Sequence, residues 1–417
     1  MDKIVVTGGE KLAGEVQISG AKNAALPMMA ATILAAGQSK LENVPQLRDV
    51  STFSNVLRVL GARVKRDDHS LNIDAAGIGH LEAPYQLVRT MRASIYVLGP
   101  MLARFGQAKV SLPGGCAWGP RPVNLHIKAM EDLGARVEIQ HGYIVARAER
   151  LQGAVIDFDV SSVGATVNTV MAATMASGTT IIRNAAREPE ITALGTMLNA
   201  MGARISGTGT DTVEIQGVQA LHPVQEKVIP DRIEAGTFMV AAAITGGRVF
   251  LRGARADHLG AIIGRMEGAG VDIEQQEDGV LVEGNSRLNS IDVSTAPYPG
   301  FPTDMQAQIM ALLSLAPGTS KITETIFPDR FTHVPELRRL GVDVKVDGNV
   351  AAITGVEKLS GAPVMASDLR ASAALILAGL VAQGETEVRR VYHIDRGYEQ
   401  IEEKLRGLGA AIQRVTE

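Results

Sequence analysis

Cysteine and aromatic residues are nearly missing from this chain. A single cysteine, Cys116, stands among 417 residues, which excludes an intrachain disulfide and any zinc site built on several cysteines. One tryptophan, and only 4% aromatics in all, leave the cores to Ala, Val, Ile, Leu and Met. No long run of one charge occurs and the net charge is −4. That argues against a nucleic-acid partner, because non-specific binding needs a basic excess. The longest apolar stretch, Ala24–Ala36, is interrupted by Pro27 and Thr32 and falls short of the ~18 residues that a bilayer span needs. The opening MDKIVVTGGEKL has no basic segment followed by an apolar one, as a secretory signal would. A cytoplasmic protein with no membrane partner is expected. No His-x-x-x-His, P-loop or strand-linked Gly-x-Gly-x-x-Gly occurs, so neither a metal nor a cofactor is expected.

Glycine, by contrast, is abundant, at 44 residues, and it is periodic. One series, in Leu-Gly-Ala-like triplets, falls at Gly61, Gly134, Gly202, Gly270, Gly341 and Gly409. A second falls at Gly37, Gly106, Gly178, Gly246, Gly318 and Gly384. Successive members lie 66 to 73 residues apart in both series. Two markers in step, six times each, define six repeats of about 70 residues that account for the chain.

Each repeat reads alike. An apolar helix such as Asn23–Ala35 or Ser372–Ala382 stops near a marker glycine. A β-branched strand follows, such as Thr179–Arg183 or Arg248–Leu251. Then comes an amphipathic helix, such as Val123–Leu133 or Tyr398–Leu408, and a hairpin, as in Arg136–Ile139 and Tyr143–Ala146 across His141-Gly142. The first helix is apolar all round and is expected to be buried; the second, with a polar face, is expected outside. The last repeat stops after one hairpin strand, Ala411–Val415, while the chain opens on an orphan strand, Lys3–Thr7. The orphan is expected to complete the sixth repeat. An α/β (α+β) protein follows, with three repeats in residues 22–229 and three in a discontinuous domain of 1–21 plus 230–417.

The buried helices open on polar residues: Ser19-Gly20-Ala21-Lys22-Asn23, Thr90-Met91-Arg92, Ser161-Ser162-Val163-Gly164, Asp231-Arg232, Thr303-Asp304 and Asp368-Leu369-Arg370. Asp, Ser and Thr at such places are ordinarily N-caps. Lys22, Arg92 and Arg370 do not fit that reading, because a cation opposes the helix dipole and needs an anionic partner or ligand. Threefold symmetry would gather three such N-termini in each domain, suited to a polyanionic substrate held between the domains. The lone cysteine lies in the Gly/Pro-rich Ser111–Pro122, which reads either as a surface turn or as a binding loop. A thiol near Arg121 and a following helix N-terminus ionises more readily than a free one.

Together these segments resemble the UDP-N-acetylglucosamine 1-carboxyvinyltransferase family. The resemblance is carried by Pro113-Gly114-Gly115-Cys116, Arg121-Pro122, Leu125-His126, Ser19–Asn23, Arg187-Glu188-Pro189-Glu190, Phe301–Gln306, Asp368–Ser372 and His393–Tyr398. The cysteine loop separates it from the related phosphoshikimate enzymes. The resemblance implies two inverse α/β barrels, and transfer of the enolpyruvyl group of phosphoenolpyruvate to UDP-N-acetylglucosamine in peptidoglycan synthesis. By resemblance, Lys22, Arg121 and Arg396 hold phosphoenolpyruvate, with Asn23 nearby. Arg92, Arg121, Pro122, Val123, Asn124, Leu125, Ser162, Val163, Gly164 and Ile326 match nucleotide-sugar contacts, and Asp368 and Arg370 complete the substrate-binding set. Asp304 matches the general base and Cys116 the general acid, the latter a target of fosfomycin. Lys22 and Arg396 count among the catalytic residues as well. A monomer is expected. Val160, Asn124 and Arg48 depart from the Lys, Asp and Lys common in the family.

Overall fold

The computed structural model describes residues 2–89, 91–112, 123–285 and 287–416. The chain divides into two compact units, Gly20–Ile229 and Met1–Ser19 with Pro230–Glu417. The boundary falls at Gly20 rather than at residue 22. A Cβ on Gly20 would lie 1.7 Å from the Asn43 carbonyl oxygen, and the Ala21 N–H donates to Ile229 O at 2.7 Å, so both residues pack with the middle of the chain. Each unit has its own buried cluster of aliphatic side chains.

Each described sheet has four strands, six sheets in all. In the middle unit, Gln38–Glu42, Gln107–Ser111 and Thr179–Arg183 each pair antiparallel with the far strand of the following hairpin. The hairpin Arg136–Gln140 with Tyr143–Arg147 turns on His141 and Gly142, both at positive φ (51° and 79°), the requirement of a tight two-residue turn. All twelve marker glycines also have positive φ, so the periodicity in the sequence records the places where the chain must turn left-handed.

In five of the six sheets the fourth strand has only two or three residues, and sequence periodicity does not reveal it. Glu82–Ala83 leaves the first repeat and runs parallel to Gln107–Ser111 of the second. Val155–Asp157 passes in the same way to Thr179–Arg183. Gln225–Lys227 leaves the third repeat and returns to Gln38–Glu42 of the first. The three repeats thus close into a ring. The other unit closes likewise: Val293–Ser294 joins Thr319–Thr323, and Pro363–Met365 joins Glu385–Arg389. Asp2–Thr7 lies between Glu385–Arg389 and Ala411–Thr416, antiparallel to both, as the orphan strand requires. Ala13–Gln17 then runs on to pair with Arg248–Arg252.

Helices fill the inside of each ring. Every residue of Gln306–Leu313 and Ala371–Gly379 is buried, as is all of Arg232–Ile244 except Arg232. Lys22–Ala31 is buried except for Asn23. Strands on the outside alternate, as Thr212–Gln216 does with Val213 and Ile215 inward. This inside-out layering is the inverse barrel that the family resemblance implies. Two helices fall furthest short of their apolar patterns. The first turns into a 3-10 segment at Thr32–Leu34, with Pro27 unable to donate within it and Thr32 Oγ1 bonded to Met29 O at 2.7 Å. The last is Ile401–Gly407, because Gln400 before it is left-handed, φ 44°; Val391–Arg396 forms a separate 3-10 turn.

Candidate active site

The middle unit presents its expected residues at the starts of helices. Lys22 is the first residue of Lys22–Ala31, where Ala21 offers no side-chain cap. It is only 6% exposed, and its Nζ lies 3.4 Å from Oδ2 of buried Asp49 in the first turn of Arg48–Leu60. That is the anionic partner a cation at a helix N-terminus demands. Asn23 beside it is half-buried. Arg92 opens the 3-10 turn Arg92–Val97. Ser162 Oγ caps Val163–Ala173 by accepting the Ala165 N–H at 3.3 Å, which leaves Ser162, Val163 and Gly164 half-buried at the helix start. Val123, Asn124 and Leu125 begin Asn124–Asp132, with Asn124 exposed and its neighbours half-buried. Cys116, Arg121 and Pro122 lie outside the described residues.

In the other unit the three inner helices open on three aspartates bridged by two arginines. Asp231 caps Arg232–Ile244 through the N–H groups of Ile233 and Glu234, at 2.8 and 3.0 Å. Asp368 accepts from the N–H groups of Arg370 and Ala371 at 2.6 and 2.8 Å, ahead of Ala371–Gly379. Asp304 sits in the turn Thr303–Met305 that leads into Gln306–Leu313. Its Oδ1 accepts from Arg330 Nη1 at 2.9 Å, and its Oδ2 is 3.7 Å from Arg370 Nε. Arg370 also reaches Asp231 at 3.6 Å, donates to Gly397 O at 3.1 Å and stacks over the Tyr398 ring. Arg330 donates to Thr303 Oγ1 at 3.0 Å and lies 3.9 Å from Asp368. Burial opposes charge on both guanidiniums, yet the facing carboxylates outweigh it, and both pKa values are raised.

Exposure separates these groups. Arg370 is 1% and Asp368 7% exposed, so both are buried within their own unit. The Asp304 side chain keeps 28% of its surface open while two arginines fix its direction. Ile326 lies on a turn organised by fully buried Glu324, whose Oε1 accepts the N–H groups of Ile326 and Phe327 at 2.9 and 3.1 Å. The other oxygen of Glu324 accepts from Thr303, beside Asp304, at 2.8 Å. Arg396 is half-buried at the end of Val391–Arg396. Its neighbour Asp395 receives Arg414 at 2.6 and 3.2 Å, and Arg414 also donates to buried Glu402 at 2.6 Å. Asp49, Glu324 and Arg414 escape sequence reading, since nothing local marks a partner that lies far along the chain.

Comparison with known proteins accords with this geometry. The family model for EPSP synthase (3-phosphoshikimate 1-carboxyvinyltransferase) matches residues 6–405, and the chain belongs to that family of enolpyruvyl transferases. Within it, the UDP-N-acetylglucosamine 1-carboxyvinyltransferase of Geotalea uraniireducens (strain Rf4) is 56% identical over 417 residues, covering all of both chains. The enzyme of the same name from Thermodesulfovibrio yellowstonii is 55% identical over 416 residues, again over all of both. The resemblance read from the motifs is thereby borne out. Among solved structures, the enolpyruvyl transferase NikO from Streptomyces tendae superposes with a TM-score of 0.91 at 27% identity, over 100% of this chain and 99% of that one. EPSP synthase from Acinetobacter baumannii shares the fold, with a TM-score of 0.78 at 18% identity over all of both chains.

Proposed function

We propose that the protein transfers the enolpyruvyl group of phosphoenolpyruvate to the 3′-hydroxyl of UDP-N-acetylglucosamine and releases phosphate, the first committed step of peptidoglycan synthesis. The observation that carries this reading is full-length identity of 56% to enzymes of that name, in a chain that keeps Lys22, Cys116, Asp304 and Arg396.

Lys22, Arg121 and Arg396 neutralise the trianionic donor, with Asn23 beside it. Arg92, the run Arg121-Pro122-Val123-Asn124-Leu125, Ser162-Val163-Gly164 and Ile326 hold the nucleotide sugar. Asp304 takes the proton of the 3′-hydroxyl as its oxygen bonds to C2 of phosphoenolpyruvate, and Cys116 delivers a proton to the methylene carbon. The tetrahedral adduct then loses phosphate from C2 and a proton from the former methylene carbon, which restores the double bond. Support for Asp304 as the base comes from its pairing with Arg330 and Arg370, which aim a partly open carboxylate. Asp368 and Arg370 serve the substrate site through that carboxylate. The thiolate of Cys116 is the group that fosfomycin alkylates. A monomer suffices for the chemistry, and sedimentation velocity measures that state.

Phosphate release tests the reaction. With phosphoenolpyruvate, turnover is expected with UDP-N-acetylglucosamine and none with shikimate 3-phosphate; the reverse pattern would reassign the acceptor.

A further inference from the structure

Three segments proposed to hold the nucleotide sugar meet at one buried imidazole. His126 directly follows the 123–125 run and is 2% exposed; Asn168, inside Val163–Ala173, is fully buried. The Asn168 amide is used at both ends. Its Oδ1 accepts the Gly99 N–H at 2.8 Å. Its Nδ2 donates to Ile95 O at 2.9 Å and lies 3.0 Å from His126 Nδ1. The backbone N–H of Gly99 orients the amide, so Nδ1 of His126 accepts and the proton of the neutral ring sits on Nε2. Burial, and then the Arg92 guanidinium, hold that ring neutral, with its pKa lowered to about 3. The Cε1–Nε2 edge of the ring lies against Gly164, where a Cβ would stand 3.2 Å from both atoms. Ile95 and Gly99 belong to the segment that Arg92 opens.

We propose that His126 and Asn168 are positioning residues for nucleotide-sugar recognition. They lock the Ser162-Val163-Gly164 turn, the start of Asn124–Asp132 and the Arg92–Val97 turn into one arrangement. An apolar pair would fill the space without the desolvation penalty of buried polar groups. What the polar pair adds is direction, since hydrogen bonds fix the rotation of the imidazole against Gly164 where dispersion contacts do not. The inference rests on the proposed function and deepens it.

Calorimetric binding of UDP-N-acetylglucosamine, together with KM for each substrate and kcat, tests it in the full chain. His126→Leu is expected to weaken nucleotide-sugar binding and raise its KM by about tenfold or more, with kcat and the KM of phosphoenolpyruvate within about threefold of wild type. His126→Asn, whose oxygen can accept from Asn168, should recover part of that loss. Gly164→Ala should raise the same constant by pressing on the ring, and with His126→Asn it decides the matter if His126→Leu does not fold. Wild-type affinity in the folded variants, or equal rises in both KM values, would overturn the inference. A wild-type protein that binds no UDP-N-acetylglucosamine and releases no phosphate would instead sink the functional reading itself.

Discussion

Asp304 illustrates how one side chain gains a role from its neighbours. Arg330 holds one oxygen and Arg370 approaches the other, so the carboxylate has little rotational freedom while part of it stays open. Asp304→Ala should leave nucleotide-sugar binding measurable and lower turnover by roughly 10²-fold or more, the scale of general base catalysis; near-normal turnover would remove Asp304 from the mechanism. In the proposed mechanism Cys116 gives a proton and forms no covalent bond. Cys116→Asp should therefore keep measurable turnover with its optimum moved to lower pH, because the carboxyl must stay protonated to donate. Cys116→Ala should lose turnover. Mass spectrometry after fosfomycin treatment should find wild type alkylated and Cys116→Asp untouched, since a thiolate is the better nucleophile. Two buried histidines add a pH dependence. Burial lowers His126 to about 3 and His333 to about 4, both below the ~6.5 of an unfolded chain. As pH falls below about 6.5 the unfolded chain takes up protons first, so stability is full above that value and declines toward the folded pKa values. Each imidazole accounts for a slope of about 1.4 kcal/mol per pH unit in that window. Melting temperatures from pH 7.5 to 5 should fall, and His333→Gln should flatten the decline; a level wild-type profile contradicts the argument.

Among the elements, the short 3-10 turn Val391–Arg396 depends most on distant support. It is flanked by Arg390 and Gln400, both non-glycine residues with positive φ, 58° and 44°, a conformation that persists only when its surroundings impose it. Arg414, from the last strand, supplies that constraint by gripping Asp395 bidentately and Glu402 as well. Arg414→Gln should loosen the turn that carries Arg396. We expect KM for phosphoenolpyruvate to rise several-fold with KM for the nucleotide sugar little changed, and Arg414→Lys to fall between; unchanged steady-state constants would deny the turn this dependence. The elements themselves were largely legible beforehand. Apolar period and marker glycines place the helices and hairpins, because those signals are local. The five short parallel strands were not legible. Two or three residues, such as Glu82–Ala83, carry no period, and only the neighbouring strand makes them strands.

At the scale of the whole molecule, the strands that pass from one repeat to another decide how each unit closes. Gln225–Lys227 returns to Gln38–Glu42 within the middle unit. In the other unit closure runs through the N-terminal strands Asp2–Thr7 and Ala13–Gln17. Residues 20–229 expressed alone should therefore melt cooperatively, since ring and core are both internal. Residues 230–417 without the first 19 should not, because one sheet loses a central strand and another an edge strand. Differential scanning calorimetry of the two fragments makes the comparison, and a cooperative transition in 230–417 alone would refute it.

Sequence alone determined the six repeats, the helix-then-hairpin order, the place of the orphan strand and the family motifs around Lys22, Cys116, Asp304 and Arg396. Each is written in local pattern or contiguous residues, where backbone geometry and hydrophobic period act over a few positions. Tertiary structure alone decided which charges meet. Lys22 finds Asp49, Asp304 finds Arg330 and Arg370, and His126 finds Asn168 42 residues away. Ion pairs and buried hydrogen bonds form between groups brought together by packing, and their strength depends on burial and distance, quantities that no stretch of sequence carries until the rings have closed.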